Sequence, residues 1–376
     1  MRKRLRCRGR SILFWLLLSL SGFLVYSYIF PLNIDVRSGS FHHQRMCPAC
    51  FGENLCPDLH AGRITLTNWT RRTVSKVFNA KNVFLAELRL QGEASAEKAV
   101  LKKLGHDAEL QLLDRNICTV SGQRPDHCHP AHYIKFLTES FTLHRANEKT
   151  LDYKEIGRYD WTEVLACMRS QRLVDLLVRR AHYHPAAPTV ANLLTMLMIN
   201  PEPIVFMAFP KEEGWPFPKY HGGCGRLVAF ENAGRSLADY YSAPWDVRVS
   251  LARQLLEMAL KFTRNDDGVA LYLTDWTADN FAVDEDGRVA LVDGENFVLV
   301  DQKVSGIPYE KVEGFNYKER ARVKALNETG APGWNVAHTS DGFGCRTSFC
   351  YSSEDLCTHH ESDHNLYGVC KVSQRV

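Results

Sequence analysis

The sequence predicts an α+β fold in two lobes, stapled by disulfides and set behind an N-terminal membrane segment. Three observations predict it. Strand-like apolar runs at Val83 to Leu90, Ala99 to Lys102, Pro203 to Phe209 and Gly225 to Phe230 precede a long helical pattern at 246–263. Within Leu273 to Glu295, LTDWTADNFAVDEDGRVALVDGE, two apolar runs flank Asp284-Glu285-Asp286-Gly287, the turn chemistry of a β-hairpin. Finally, an uncharged apolar stretch near the N-terminus precedes all but one of 12 cysteines.

Residues 1–10 form a basic tail with Arg2, Lys3, Arg4, Arg6, Arg8 and Arg10. Residues 11–32 carry the membrane segment. Ser11 to Phe30 is long enough to span a bilayer as a helix, its basic flank staying cytoplasmic. A cleaved signal peptide also fits, with Ile12 to Leu18 as the apolar core before Ser19-Leu20-Ser21. Both readings place the rest of the chain in the secretory pathway, in the Golgi lumen as a type II protein or secreted. Lys and Arg total 46 against 43 acids, and six of the bases lie in the first ten residues, which leaves a slight acidic excess. That balance excludes a nucleic-acid surface. The partners implied are a lumenal or extracellular protein and, through the N-terminal segment, the membrane.

An oxidising compartment explains the cysteines. Cys47, Cys50 and Cys56 lie in a Cys-rich segment at 33–80, and Cys345, Cys350, Cys357 and Cys370 in another at 339–376. Both read as disulfide frameworks, with zinc as the rival because His42, His43, His60, His359, His360 and His364 lie close by. Cys7 falls in the basic tail, and the other eleven are an odd number, so at least one thiol is free or paired to another chain. Asn68-Trp69-Thr70 and Asn327-Glu328-Thr329 are glycosylation triplets.

Residues 81–232 read as the smaller lobe with a helical insert. Val83 to Leu90 and Ala99 to Lys102 are strand-like around a turn at Gln91-Gly92-Glu93. Lys102 ends a buried-looking strand, an unusual place for a lysine without a partner. The helical pattern from Asp107 to Cys118 offers Glu109 as that partner, with Asp114 second. Helices are expected at 160–184 and at Thr189 to Ile199. Pro203 to Phe209 reads as a buried strand, Gly225 to Phe230 as another, and Glu231-Asn232-Ala233-Gly234 as a polar hinge. Residues 233–338 are the larger lobe, opening with the helix at 246–263.

The hairpin carries the chemistry. Its antiparallel strands bring Asn280 and Asp293 together, with Asp275 on the adjoining loop. An Asp and an Asn facing one space supply oxygen ligands for Mg²⁺ or Mn²⁺, and a third carboxylate can accept a hydroxyl proton. Asp275, Asn280 and Asp293 resemble the catalytic Asp, the Asn five residues later and the Asp of the metal turn in protein kinases. In that reading Asp275 is catalytic, Asn280 and Asp293 hold metal, and Lys102 and Glu109 serve the nucleotide, ATP. The alternatives are a hairpin with polar ends and a Golgi glycosyltransferase using Asp284-Glu285-Asp286.

Several segments together resemble the divergent protein kinase domain 2 family, the deleted-in-autism protein and its relatives. They are Cys47-Pro-Ala-Cys-Phe-Gly, Val100-Leu-Lys-Lys-Leu-Gly, Ser170-Gln-Arg-Leu-Val-Asp, Glu213-Gly-Trp-Pro-Phe, Gly223-Cys-Gly-Arg, Asp279-Asn-Phe-Ala-Val and His364-Asn-Leu-Tyr-Gly-Val-Cys. The resemblance implies a divergent two-lobed protein-kinase-like fold and Golgi or extracellular residence. It leaves two functions open: phosphoryl transfer to a secretory-pathway substrate, or a pseudokinase acting as a secreted ligand or scaffold. The departures favour the second. Leu273-Thr274 stands where kinases carry His-Arg, Asp293-Gly294-Glu295 replaces Asp-Phe-Gly, and the glycine-rich phosphate loop is missing. The resemblance also implies relatives that run on beyond the Tyr-Gly-Val-Cys segment, whereas this chain stops at Val376.

Overall fold

The computed structural model describes residues 14–26, 34–72, 82–90, 95–120, 122, 124, 127–135, 138, 165–166, 171–186, 188–303, 336–337, 356 and 361–373. In chain order its principal strands and helices begin with β1 (Ile64–Leu66), β2 (Val83–Leu88), β3 (Glu97–Lys102) and α1 (Asp107–Val120). Next come β4 (Leu165–Ala166), α2 (Gln171–His182), α3 (Val190–Leu197) and α4 (Glu202–Ala208). β5 (Tyr220–Cys224), β6 (Leu227–Glu231), β7 (Arg235–Ser236) and α5 (Trp245–Thr263) lead into β8 (Val269–Leu273). β9 (Phe281–Val283), β10 (Val289–Leu291), β11 (Phe297–Asp301) and α6 (His364–Ser373) follow.

Five strands form one sheet in the order β1-β2-β3-β6-β5. Its first strand comes from the Cys-rich 33–80 segment. Along β2 the residues Phe84, Ala86 and Leu88 are buried while Leu85 and Glu87 are exposed, the period of two that sets a strand with one covered face. Two three-stranded sheets follow: the hairpin β9–β10 extended by β7, and β8 and β11 with β4 at the edge. α5 packs against β8 and β10, and its Leu251, Leu255, Met258, Ala259 and Phe262 are buried. The main apolar cluster runs continuously from Leu110, Leu113 and Ile117 of α1 through α3 and α4 to α5 and β8.

Three expectations need correction. Pro203 to Phe209 is not a strand: Pro203 to Ala208 lie in α4, every residue of which is buried, and Phe209 caps its end. A helix buried on all sides shows no stripe, so periodicity cannot separate it from a buried strand. Pro203 is tolerated because it lies in the first helical turn, where its missing N–H bonds nothing. The strand beside β6 is instead Tyr220–Cys224, whose His and two Gly residues carry no strand signal. Its outer edge is closed by the N-terminal segment: Leu55 N–H donates to Gly223 O at 3.1 Å, and Asn54 Oδ1 accepts from Gly223 N–H at 2.9 Å. Gly225 there has φ +63°, and a Cβ would fall 1.9 Å from His42 O, so only glycine fits. The helix expected at 160–184 is Gln171–His182, with a strand at Leu165–Ala166. The remainder of that range before residue 171 lies outside the described residues.

Disulfides join Cys47–Cys50, Cys56–Cys224 and Cys118–Cys128. Cys56 thus leaves its own cluster to tie the N-terminal segment to β5. Cys370 is a free, exposed thiol, and Cys345, Cys350 and Cys357, the rest of the expected C-terminal framework, lie outside the described residues. The expected membrane segment is described only over a helix at 14–26, whose side chains are exposed. Among the described residues no helix is long and apolar enough to cross a membrane.

Candidate functional site

The hairpin positions the site as its spacing requires. β9 and β10 pair in the register Leu291↔Phe281, and Val292 N–H donates to Asn280 O at 2.8 Å. That bond sets Asn280 beside the residue that precedes Asp293. Asn280 sits in a single 3₁₀ turn, Ala278–Asn280, and is 3% exposed. Its Nδ2 donates to the Asp275 carboxylate at 2.9 Å and to the Asp275 carbonyl at 3.1 Å. Such an amide fixes the loop and the side chain together.

Lys102 reaches the same place from β3. Its Nζ lies 2.9 and 3.0 Å from the two carboxylate oxygens of Glu202 and 2.6 Å from Val292 O. The partner is therefore neither Glu109 nor Asp114. Glu109 Oε2 instead accepts the His106 N–H at 2.6 Å, just ahead of α1, and Asp114 pairs with the buried Arg226. Both acids follow β3 too closely to turn back on its end. Glu202 arrives 100 residues later on α4, with Asn200 Oδ1 accepting its backbone N–H at 2.9 Å. Its second carboxylate oxygen also accepts Gly294 N–H at 2.9 Å, joining α4 to the Asp293-Gly294-Glu295 turn. Asn200 Nδ2 adds a bond to Glu295 at 2.9 Å. Burial pushes the Glu202 carboxyl up to about 7, against the pull of Lys102, and the nearby Asp293 carboxylate pushes the same way.

Lys102, Glu109, Glu202, Asp275, Asn280 and Asp293 all line one cavity of about 840 Å³. Lys102 and Asn280 are thus held by protein bonds, while Asp275 and Asp293 are half-buried at its wall. Oxygen donors from an amide and a carboxylate suit a hard divalent cation, and no described donor is bonded to Asn280 Oδ1. Asp284-Glu285-Asp286 is a surface turn: Asp284 and Asp286 are engaged by Arg288, and Glu285 bonds Lys98 at 2.7 Å. That placement removes it from the cavity.

Sequence reasoning missed two contributors. Glu202 precedes an apolar run with no local mark of its role. The other is α6, which grips the strand leading into the Asp275 loop. Asn365, fully buried, accepts Leu273 N–H at 3.1 Å and donates to Leu271 O at 3.0 Å and Thr263 Oγ1 at 3.1 Å. His364 Nε2 lies 2.8 Å from Leu273 O. Gly368 leaves room for Trp276, since a Cβ would fall 2.2 Å from its ring. A buried Asn inside an amphipathic segment was the available signal.

Comparison with known proteins agrees with this architecture. Residues 193–375 match the family described as "Protein-kinase domain of FAM69". Divergent protein kinase domain 2A of Xenopus tropicalis is 36% identical over 86% of this chain and 72% of the relative. The Homo sapiens protein of that name is 35% identical over 90% of this chain and 75% of its own length. Divergent protein kinase domain 2B of Homo sapiens is 26% identical over 86% and 70%.

Proposed function

The chain belongs to the divergent protein kinase domain 2 family, and from that premise we propose that it transfers a phosphoryl group from ATP to a hydroxyl of a lumenal or extracellular protein. The observation that carries this reading is the convergence of Lys102–Glu202 with Asp275, Asn280 and Asp293 on one cavity. Lys102, steadied by Glu202, contacts nucleotide phosphates. Asp275, held by the Asn280 amide, takes the acceptor's proton. Asn280 Oδ1 and Asp293 hold Mg²⁺ or Mn²⁺, which when bound would screen the charge of the transferring phosphoryl group. The basic tail, the apolar stretch behind it and three disulfides support action in the Golgi lumen or outside the cell.

A second reading, a pseudokinase acting as a ligand or scaffold, is favoured by one observation. All three Lys102 contacts are to protein acceptors, Glu202 twice and Val292 O, so phosphate must compete for them. Thermal-shift titration with ATP and Mg²⁺ or Mn²⁺ separates the two. Under the first reading wild type is stabilised only with metal, Asp293→Ala loses that response, and Asp275→Ala keeps it while losing transfer. Metal-independent melting in all three proteins sinks the first reading.

A further inference from the structure

Cys47-Pro48-Ala49-Cys50 closes the smallest of the three disulfide rings, its cysteines three residues apart against 10 for Cys118–Cys128 and 168 for Cys56–Cys224. In the chain-entropy picture a cross-link stabilises a fold by restricting the unfolded chain, and a ring this short restricts it least. The loop is also held without its sulfur bond. Asn192 Nδ2 donates to Pro48 O at 3.3 Å and to Cys50 O at 3.1 Å, and Arg226 Nε donates to Ala49 O at 3.3 Å. On the flanks Cys47 N–H donates to Gln44 O at 2.9 Å and Phe51 N–H to Gly225 O at 2.8 Å. With every inner carbonyl of the loop anchored, opening the bond leaves two thiols side by side.

The two sulfurs differ in their surroundings. Cys50 is fully buried and Cys47 half-buried, so an incoming group meets Cys47. Asn192, in the first turn of α3 and 2% exposed, sets its Nδ2 3.3 Å from Cys50 Sγ. Burial disfavours a thiolate, and an amide donor at a helix start works against that penalty. Arg226 adds no net charge beside the loop, because Asp114 pairs with it. Glu53 has a carboxylate oxygen within 4.8 Å of both sulfurs and opposes an anion there, but it is exposed, so water screens it.

We propose that Cys47–Cys50 is an exchangeable disulfide that takes two electrons from thiols, either glutathione or the dithiol of a protein. A thiolate attacks Cys47 Sγ, forming a mixed disulfide and breaking the Cys47–Cys50 bond. Cys50 leaves as a thiolate bonded by Asn192 Nδ2, then takes a proton from water. A second thiolate attacks the donor's sulfur in the mixed disulfide. That step releases the oxidised donor and the Cys47 thiolate, which is protonated in turn. The chemistry lies apart from the Asp275 cavity and leaves Cys56–Cys224 closed.

The test follows all three disulfides in the full chain. The protein is equilibrated in glutathione buffers of graded reducing strength, acid-quenched, alkylated and mapped by mass spectrometry. Cys47–Cys50 should open reversibly at a ratio of squared reduced to oxidised glutathione at least about tenfold lower than Cys56–Cys224 requires. In a second arm Cys50→Ser, given oxidised glutathione, should form the mixed disulfide on Cys47 at least about tenfold faster than Cys47→Ser forms it on Cys50. A Cys47–Cys50 bond that stays closed until Cys56–Cys224 opens overturns the proposal, as do equal rates on the two cysteines. Should a serine variant fail to fold, the titration of the wild-type chain still decides. Neither arm depends on whether the Asp275 cavity binds ATP.

Discussion

Lys102 and Glu202 meet across 100 residues of sequence, the lysine 15% exposed and the glutamate 1%. Removing one member of such a pair strands the other in the interior, which typically costs about 3–5 kcal/mol. Glu202→Ala should lose that much in urea unfolding. Lys102→Met combined with Glu202→Leu should recover much of it. Glu109→Ala should cost no more than about 1 kcal/mol, the scale of a helix-start bond. A larger loss at Glu109 than at Glu202 would reverse the assignment of the partner.

The grip of α6 on the Asp275 loop predicts a strong effect far from it in sequence. Asn365→Ala leaves Leu273 N–H and two acceptors unpaired, so a loss of roughly 1–3 kcal/mol or more is expected. Gly368→Ala drives a methyl into Trp276 and should also destabilise. Melting curves followed by tryptophan fluorescence would register both. Wild-type melting in both variants would show that α6 does not hold the loop.

His221 makes stability fall on the acid side. Its folded pKa, about 4, lies below the ordinary 6.5, so the unfolded chain takes the proton first. The contribution is therefore present above pH 6.5 and is lost as pH falls through 4, about 3 kcal/mol in all. Burial opposes protonation most strongly, Lys219 and His184 nearby add to it, and Glu231 and Glu212 favour it. Glu202, its carboxyl raised to about 7, works in the opposite sense over this window, so His221→Leu should raise the urea midpoint at pH 4 relative to that at pH 7 by comparison with wild type. An unchanged slope would place the acid sensitivity elsewhere.

Asn68 is exposed beside a turn, so the proposed lumenal location predicts a glycan there. N-glycosidase should increase gel mobility of the secreted or membrane-associated protein, and Asn68→Gln should reduce that shift. Protease sensitivity of the folded part in sealed microsomes would place it on the cytosolic side.

The hairpin and its three polar residues were legible because turn chemistry and strand pairing are local. Asp284 to Gly287 fixes the register, and the register brings Asn280 to the residue before Asp293. Alternation in β2 and β3 and the stripe of α5 were legible for the same reason. What was not legible depends on partners distant in the chain. α4 shows no periodicity because all its faces are covered, and β5 is held as a strand by β6 on one edge and the distant Asn54 segment on the other. Lys102 stood out as unusual, but nothing near it could name Glu202.

The Cys56–Cys224 bond spans 168 residues, which matters for a chain made from its N-terminus. Cys47 and Cys50, three residues apart, and Cys118 and Cys128, ten apart, emerge almost together. Cys56 must wait for Cys224 through roughly 10–30 s of synthesis at ordinary rates. In that interval its nearest thiols are the wrong ones. Correct maturation follows if Cys47 and Cys50 close first, if Cys56 stays reduced until Cys224 is made, or if an early mispairing is exchanged. The order in which the thiols are oxidised thus governs how many new chains tie the N-terminal segment to β5.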